Sequence, residues 1–173
     1  MREDVRNDWA WSDQYIPAVK RVLGPLLLEE APLDLDTQEA TDLLVFTARD
    51  MRIACRIRRA DYLERFGNEF TIRYSRDNGH TTEWAKIVDG WGDWMIYGFA
   101  DADEPGHLAR WTVIDLRALR ACLIRNGRSS IASGVTGNGD GTTFKWIKIS
   151  SLPKKAIVSA NWITHPVYDK PTP

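Results

Sequence analysis

The sequence predicts an α+β (mixed α/β) protein with a central sheet, in which a β-meander is flanked by helices. Three observations lead to this prediction. Several segments show the period-two alternation of strands. These strands come in runs, rather than in a regular alternation of strand and helix. The chain has 173 residues with 43% hydrophobic content, which suits one domain with a core of its own.

The predicted elements follow the order helix, three strands, helix, two strands, helix, and then a β-rich end. Apolar spacing within residues 12–30 predicts the first helix, and Pro25 is expected to kink or end it. The sequence DTQE, residues 36–39, is typical of a capping box that starts a short helical turn. The next three strands are expected at 42–48, 52–58 and 69–75, a short helix at 81–88, two strands at 94–100 and 109–115, and a helix at 116–126.

We expect a single domain over residues 1–173, in three parts. Residues 1–11 are a polar arm, residues 12–126 are the core, and residues 127–173 are a β-rich C-terminal extension. The glycine-rich segment 133–142 at its start is not followed by a helix, and it lacks the Lys-Ser/Thr pair of a phosphate-binding loop. A hairpin or a mobile loop is the better interpretation of this segment.

Composition narrows the possible functions. The net charge is -1 and the pI is about 6.3, so a basic coat over the whole surface is excluded and any anion site must be a local patch. The two cysteines, Cys55 and Cys122, lie among apolar residues and are expected to be reduced core residues. The three histidines are scattered, without the spacing of a zinc site. The polar N-terminus does not look like a signal peptide, and no apolar run reaches membrane-spanning length.

The segment RIACRIR, residues 52–58, concentrates arginine on one side of a predicted strand. Its alternation places Ile53, Cys55 and Ile57 on one face and Arg52, Ala54, Arg56 and Arg58 on the other. The next strand has the same alternation. The predicted anion-binding residues are therefore Arg56, Arg58, Arg73 and Arg76, because guanidinium binds phosphate in a bidentate manner and stays charged. The alternative is a solvated face on which arginines pair with nearby acids.

Five phrases of the sequence carry a resemblance to a known family. They are TDLLVF, IACRIRR, EFTIR, TEWAKIVDGWGDWMIYGFAD and WTVIDLRALR, within residues 41–125. This stretch resembles a family of phage and prophage proteins with the restriction-endonuclease-like, or PD-(D/E)XK, fold. The resemblance implies a restriction-endonuclease-like core, nucleic-acid binding, and a location in the cytoplasm of a bacterial host. For an active member it also implies magnesium-dependent hydrolysis of phosphodiesters.

The family motif needs an acid at the head of the first strand, and Asp42 fits that position. It also needs an acid and a lysine two residues apart on the next strand, where this chain has Ala54 and Arg56. The second acid and the lysine would then come from neighbouring elements. The candidate catalytic residues are Asp42, Glu69, Glu83 and Lys86, with Asp42 and Glu83 as ligands of Mg²⁺.

Two other classes of function stay open. The missing acid-x-lysine pair favours a non-catalytic interaction protein, such as a phage accessory factor or an inhibitor of a host defence system. The Trp-rich sequence GWGDWMIYG, residues 90–98, would suit a structural component that forms a homo-oligomer. Within it, Trp91 and Trp94 are expected to wedge a helix against the sheet, and stacking on a base is the alternative. Nucleic acid and a host protein are thus the expected partners, and a membrane is not.

Overall fold

The structure, a computed structural model, describes residues 10–30, 43–45, 51–75, 81–126, 131–139 and 141–162. The chain forms two compact units that divide between Met51 and Arg52. The predicted α+β class is confirmed, whereas the single-domain organisation stays a prediction. The capping box predicted at 36–39 lies outside the described residues. Over the part of the chain that is described, no helix is long and apolar enough to cross a membrane.

The first unit contains helix α1 (Ile16–Leu27) and two short antiparallel strands, β1 (Leu28–Glu30) and β2 (Leu43–Val45). Helix α1 runs through Pro25 and ends two residues later, close to the expected end of the helix. Strand β1 begins at once, in a segment that was predicted to be helical. Its pairing with β2 overrides the local helical pattern.

The second unit contains two sheets. The four-stranded sheet has the order β3-β5-β6-β9, with β3 and β5 parallel and the other pairs antiparallel. The three-stranded sheet is antiparallel, with the order β4-β8-β7. The strands are β3 (Ile53–Arg58), β4 (Glu69–Ser75), β5 (Trp94–Ala100), β6 (Leu108–Asp115), β7 (Ser133–Gly137), β8 (Thr143–Lys148) and β9 (Ile157–Ala160).

Among the described residues of this unit, three α-helices and three short 3₁₀ turns connect the strands. The α-helices are α2 (Leu63–Phe66), α3 (Glu83–Val88) and α4 (Leu116–Asn126), and the 3₁₀ turns are Ala60–Tyr62, Ile149–Ser151 and Lys154–Ala156. Both α3 and α4 lie where they were predicted. Helix α3 begins after Thr82, whose Oγ1 accepts a hydrogen bond from the Ala85 backbone N–H at 3.3 Å.

The two sheets and the two longer helices of the second unit share one hydrophobic core. The sheets contribute Met95, Tyr97 and Ile114 from one and Phe70, Ile72 and Ile147 from the other. The helices contribute Trp84, Ile87, Leu116 and Leu119. Burial of each such side chain stabilises the fold by about 1.5–3 kcal/mol. The predicted alternation of β4 is confirmed, since Phe70 and Ile72 are fully buried.

The pairing of the arginine-rich strand differs from the predicted meander. Strand β3 was expected beside β4, but it pairs in parallel with β5, so that Ala54 lies opposite Met95. Strand β4 belongs to the other sheet, where Phe70 lies opposite Ile147. Parallel pairing needs a long crossover, and the segment between β3 and β5, which contains β4 and α3, provides it.

The two faces of β3 carry the residues predicted for them. Ala54 shares a face with Met95 and packs against the core, and the arginines on this face look toward the second sheet. Cys55, which was predicted to be a core residue, is exposed. Cys122 is buried, as predicted.

The corner between α3 and β5 is sharp, as its glycines predict. Gly90 and Gly92 have φ values of 92° and 77°, a region that favours glycine. The corner is tied to the start of β3, since the Asp93 backbone N–H donates to the Arg52 carbonyl at 2.8 Å. Trp91 was expected to pack in this corner, but 60% of its surface is exposed, and the Arg52 guanidinium lies over its ring.

The glycine-rich segment forms part of a hairpin, one of the two alternatives left open for it. Strands β7 and β8 pair antiparallel from Ser133–Ile147 to Gly137–Thr143. The hairpin places residues of β7 directly beside the aromatic residues of β8.

Candidate functional site

Three arginines from different sheets come together in the second unit. Arg56 and Arg58 lie on β3 and Arg73 lies on β4; we call these three residues the arginine cluster. The Cζ atoms of Arg56 and Arg73 lie 5.5 and 5.4 Å from the centroid of the Phe144 ring on β8. Each distance is within the range of a cation–π contact. One aromatic ring therefore holds guanidinium groups that belong to two separate sheets.

A carboxylate of helix α3 organises part of the cluster. Glu83 Oε2 accepts a hydrogen bond from Arg56 Nη1 at 2.6 Å and another from the Arg73 backbone N–H at 3.2 Å. The Thr82 cap starts α3 at this position, so Glu83 is the first residue of the helix. The Arg56 and Glu83 side chains are 21% and 34% exposed, and the pair therefore contributes at most about 1 kcal/mol to stability.

Arg58 has a different environment. Its guanidinium stacks on Tyr62, with Cζ 4.4 Å from the ring centroid. Nη1 makes a long contact of 3.5 Å with Thr71 Oγ1, which lies 3.1 Å from the Tyr97 hydroxyl. Within the described ranges, no carboxylate lies within 4.0 Å of Arg58. Its position is held by an aromatic ring and a hydroxyl, and its charge is not neutralised by any of those residues.

Two aromatic residues lie on the face of the three-stranded sheet that points away from the core. Phe144 and Trp146 are two residues apart on β8, so their side chains share this face, while Ile147 points into the core. Arg73 lies opposite Phe144, and Thr71 lies opposite Trp146. Both aromatic side chains are half-buried, and neither belongs to the core cluster of the second unit.

The Trp146 indole lies against the neighbouring strand. A Cβ atom added to Gly134 on β7 would come within 2.5 Å of the Trp146 ring. The indole therefore occupies space that a side chain at position 134 would need. Trp146 is half-buried, so part of the residue is exposed.

The predicted catalytic residues are only partly brought together. Glu69 opens β4 and lies opposite Lys148, four residues from Arg73 and so about 13 Å along the strand from the Glu83 carboxylate. Lys86 is exposed on α3. Among the residues that the structure describes, no group of three His, Cys, Asp or Glu is placed to hold a metal ion. Asp42 and Arg76 lie outside the described residues, and their predicted roles stay predictions.

Sequence reasoning missed Tyr62, Phe144 and Trp146 as parts of this site. The signal for two of them was present in TFKWIK, where Phe144 and Trp146 alternate with the apolar Ile147 and therefore belong on the opposite face. Tyr62 carries no such signal, because it follows β3 in an irregular turn.

In a comparison with known proteins, no protein-family model, curated protein or solved structure matches the chain.

Proposed function

We propose that the protein binds nucleic acid, and that the arginine cluster contacts its phosphate groups. The observation that carries the proposal is the convergence of Arg56 and Arg73 on one aromatic ring, with Arg58 on the same side of β3. Among the described residues no carboxylate lies within 4.0 Å of Arg58, which leaves a surplus of positive charge at this residue. A surplus of this kind at a half-buried position attracts anions.

Phosphodiesters fit this site better than carboxylates do. Guanidinium binds phosphate through two parallel hydrogen bonds, and an arginine that is already stacked loses less side-chain entropy on binding. The tyrosine under Arg58 and the phenylalanine under Arg56 hold these groups in place before a ligand arrives. Aromatic rings close to basic groups are also typical of nucleic-acid interfaces.

The resemblance of residues 41–125 to the restriction-endonuclease-like family supports the same choice of partner. On this proposal the protein has a restriction-endonuclease-like core, belongs to the phage and prophage proteins, and works in the cytoplasm of a bacterial host. The proposal is one of binding. Glu83, a predicted metal ligand, is engaged by Arg56, and hydrolysis would depend on Asp42, whose role stays a prediction.

The test is binding of a fluorescent oligonucleotide of about a dozen nucleotides, a length that suits single-domain binding sites, followed by anisotropy at several salt concentrations. Arg58→Ala should weaken binding about tenfold, since it removes a charged hydrogen-bonding group. It should also lower the salt slope by about 0.7 on a single strand. Arg125→Ala, which removes an exposed arginine from the last turn of α4, is the matched control and should leave binding unchanged.

Two outcomes would overturn this proposal. One is equal affinity for the wild type and Arg58→Ala; the other is no salt-dependent binding of any oligonucleotide. The non-catalytic interaction protein would then become the better hypothesis, with a host protein as its partner. Adding Mg²⁺ to the same mixtures tests hydrolysis, and Asp42→Ala is the variant that should abolish any cleavage.

A further inference from the structure

We infer that the bound polymer is single-stranded, and that the Trp146 indole stacks on one of its bases. This inference rests on the proposed function and specifies its substrate class. It starts from the sheet face that carries Phe144 and Trp146, where the indole packs closely against Gly134. Contact with β7 holds the indole in place, and the half-buried Trp146 keeps part of its surface exposed to a planar partner.

The position of Trp146 relative to the arginine cluster supports the inference. Thr71 lies directly opposite Trp146 on β4, and the same Thr71 side chain contacts Arg58. Directly opposite residues of an antiparallel pair have Cβ atoms about 4.5–5.5 Å apart. The indole is thus one side chain away from the arginine that has no carboxylate partner among the described residues. A nucleotide could place its phosphate at Arg58 and its base on Trp146.

Charge on this sheet face favours the same ligand. Arg73 lies opposite Phe144, and the exposed Lys148 lies two residues beyond Trp146 on β8. Arg73 and Lys148 thus lie on this face together with Glu69, which is opposite Lys148 on β4 and offsets part of its charge. Such an arrangement of aromatic platforms between cations is typical of proteins that bind single strands. An uncharged apolar partner would gain nothing from these flanking cations.

A duplex would not use the indole. In double-stranded nucleic acid both faces of each base are covered by neighbouring bases, whereas in a single strand they can be exposed to an aromatic side chain. Stacking also tolerates any sequence, because every base has a π face. We therefore expect a preference for single strands over duplexes, with little dependence on base sequence.

The test compares Trp146→Leu with Trp146→Phe. Both substitutions keep an apolar side chain over Gly134, but only phenylalanine retains a ring that can stack. Three labelled probes of equal length are used: a single strand, the corresponding duplex, and an abasic single strand that keeps the phosphates. Trp91→Phe, a change at an exposed tryptophan outside this sheet face, is the control.

We expect Trp146→Leu to weaken binding of the single strand about tenfold and Trp146→Phe to restore most of it. The abasic strand and the duplex should bind equally to both variants. Equal binding of the normal single strand by the two variants would overturn the inference, while Arg58→Ala would still weaken all three probes. If Arg58→Ala weakens none of them, the proposed function itself is wrong.

A second measurement uses the unmodified protein and does not depend on the folding of a variant. Ultraviolet crosslinking to an oligothymidine, followed by mass spectrometry, should place a crosslink on the peptide that contains Trp146. Crosslinks found only on other peptides would contradict stacking at this position. Thermal unfolding curves of both Trp146 variants show whether each is folded in the binding assay.

Discussion

Arg56 and Glu83 are joined by a hydrogen-bonded ion pair of 2.6 Å, although they lie 27 positions apart in the sequence. The pair links the edge strand of the four-stranded sheet to the first residue of α3. Glu83 was predicted as a ligand of Mg²⁺, and this role stays a prediction; in the structure its carboxylate accepts hydrogen bonds from Arg56 and from the Arg73 backbone N–H. The residue can therefore act on the charge of the arginine cluster as well as on its geometry.

Glu83→Gln should increase the affinity for nucleic acid at low salt. The substitution removes one negative charge beside Arg56 while the amide oxygen can still accept hydrogen bonds. We expect a gain of about two- to fivefold, together with a loss of about 1 kcal/mol or less in the free energy of unfolding. Anisotropy titrations and urea unfolding measure these two quantities.

The gain should vanish as salt is raised, because the added attraction is electrostatic. Lys86→Gln, one turn further along α3, is the control. It removes an exposed positive charge, whereas Glu83→Gln removes a negative one. A loss of affinity in Glu83→Gln at low salt would contradict the proposed role. A loss of Mg²⁺-dependent cleavage would instead support the catalytic role predicted from the sequence.

Local patterns predicted the elements around this pair better than they predicted the pairing of strands. The strand patterns of β5 and β6 and the helical pattern of α4 are confirmed, because each depends on the periodicity of consecutive residues. The partner of β4 could not be predicted in this way. Phe70 pairs with Ile147, far along the chain, and nothing in either segment specifies the other.

The surroundings of the arginines on β3 could not be predicted for a related reason. An arginine usually marks the solvent side of a strand, but here Arg56 and Arg58 face the second sheet, where Phe144, Thr71 and Glu83 receive them. These partners come from three other elements. The sequence predicted that the arginines would gather, but the residues that hold them could only be found in three dimensions.

Cys55 should react with a thiol reagent in the folded protein, whereas Cys122 should not. Cys55 is exposed and Cys122 is buried. Ellman's reagent should therefore titrate one thiol before unfolding and two after it. Cys55→Ser should remove the rapid reaction. Rapid modification that persists in Cys55→Ser would show that the folded protein opens around Cys122 and exposes its thiol.

The same reaction should depend on pH. Partial burial of the Cys55 side chain raises the pKa of its thiol above the ordinary value for cysteine. Near pH 8 the thiol should thus react more slowly than a free cysteine. The folded state holds this proton more tightly than the unfolded state does. The resulting contribution to stability is present below the pKa of the unfolded thiol and is lost as the pH rises through the folded pKa.

Thr82→Ala should destabilise the protein by about 1 kcal/mol, because it removes the side-chain cap of α3. Thr82→Ser should restore most of this stability, since serine offers the same hydroxyl. The neighbouring exposed Thr81 provides a control, and Thr81→Ala should have little effect. Urea unfolding measures all three variants. Equal stabilities of Thr82→Ala and Thr81→Ala would show that the cap contributes nothing.

Gly134→Ala should move the Trp146 indole away from the sheet. The new Cβ atom would lie 2.5 Å from the ring, and a rigid indole must shift as a whole to relieve such a contact. We expect a loss of about 1–3 kcal/mol in stability and a several-fold weaker binding of single strands, with duplex binding unchanged.

Gly137→Ala is the matched control for this change, because it lies on the same strand and has no atom within 4 Å of the added Cβ. Both substitutions remove the same backbone freedom of a glycine. The difference between the two variants in stability and in binding therefore measures the effect of displacing the ring. If both variants bind the single strand as the wild type does while Gly134→Ala alone is destabilised, Trp146 packs against the sheet without contacting the ligand. If only Gly134→Ala binds the single strand more weakly, stacking of the base depends on the position of the Trp146 indole over β7.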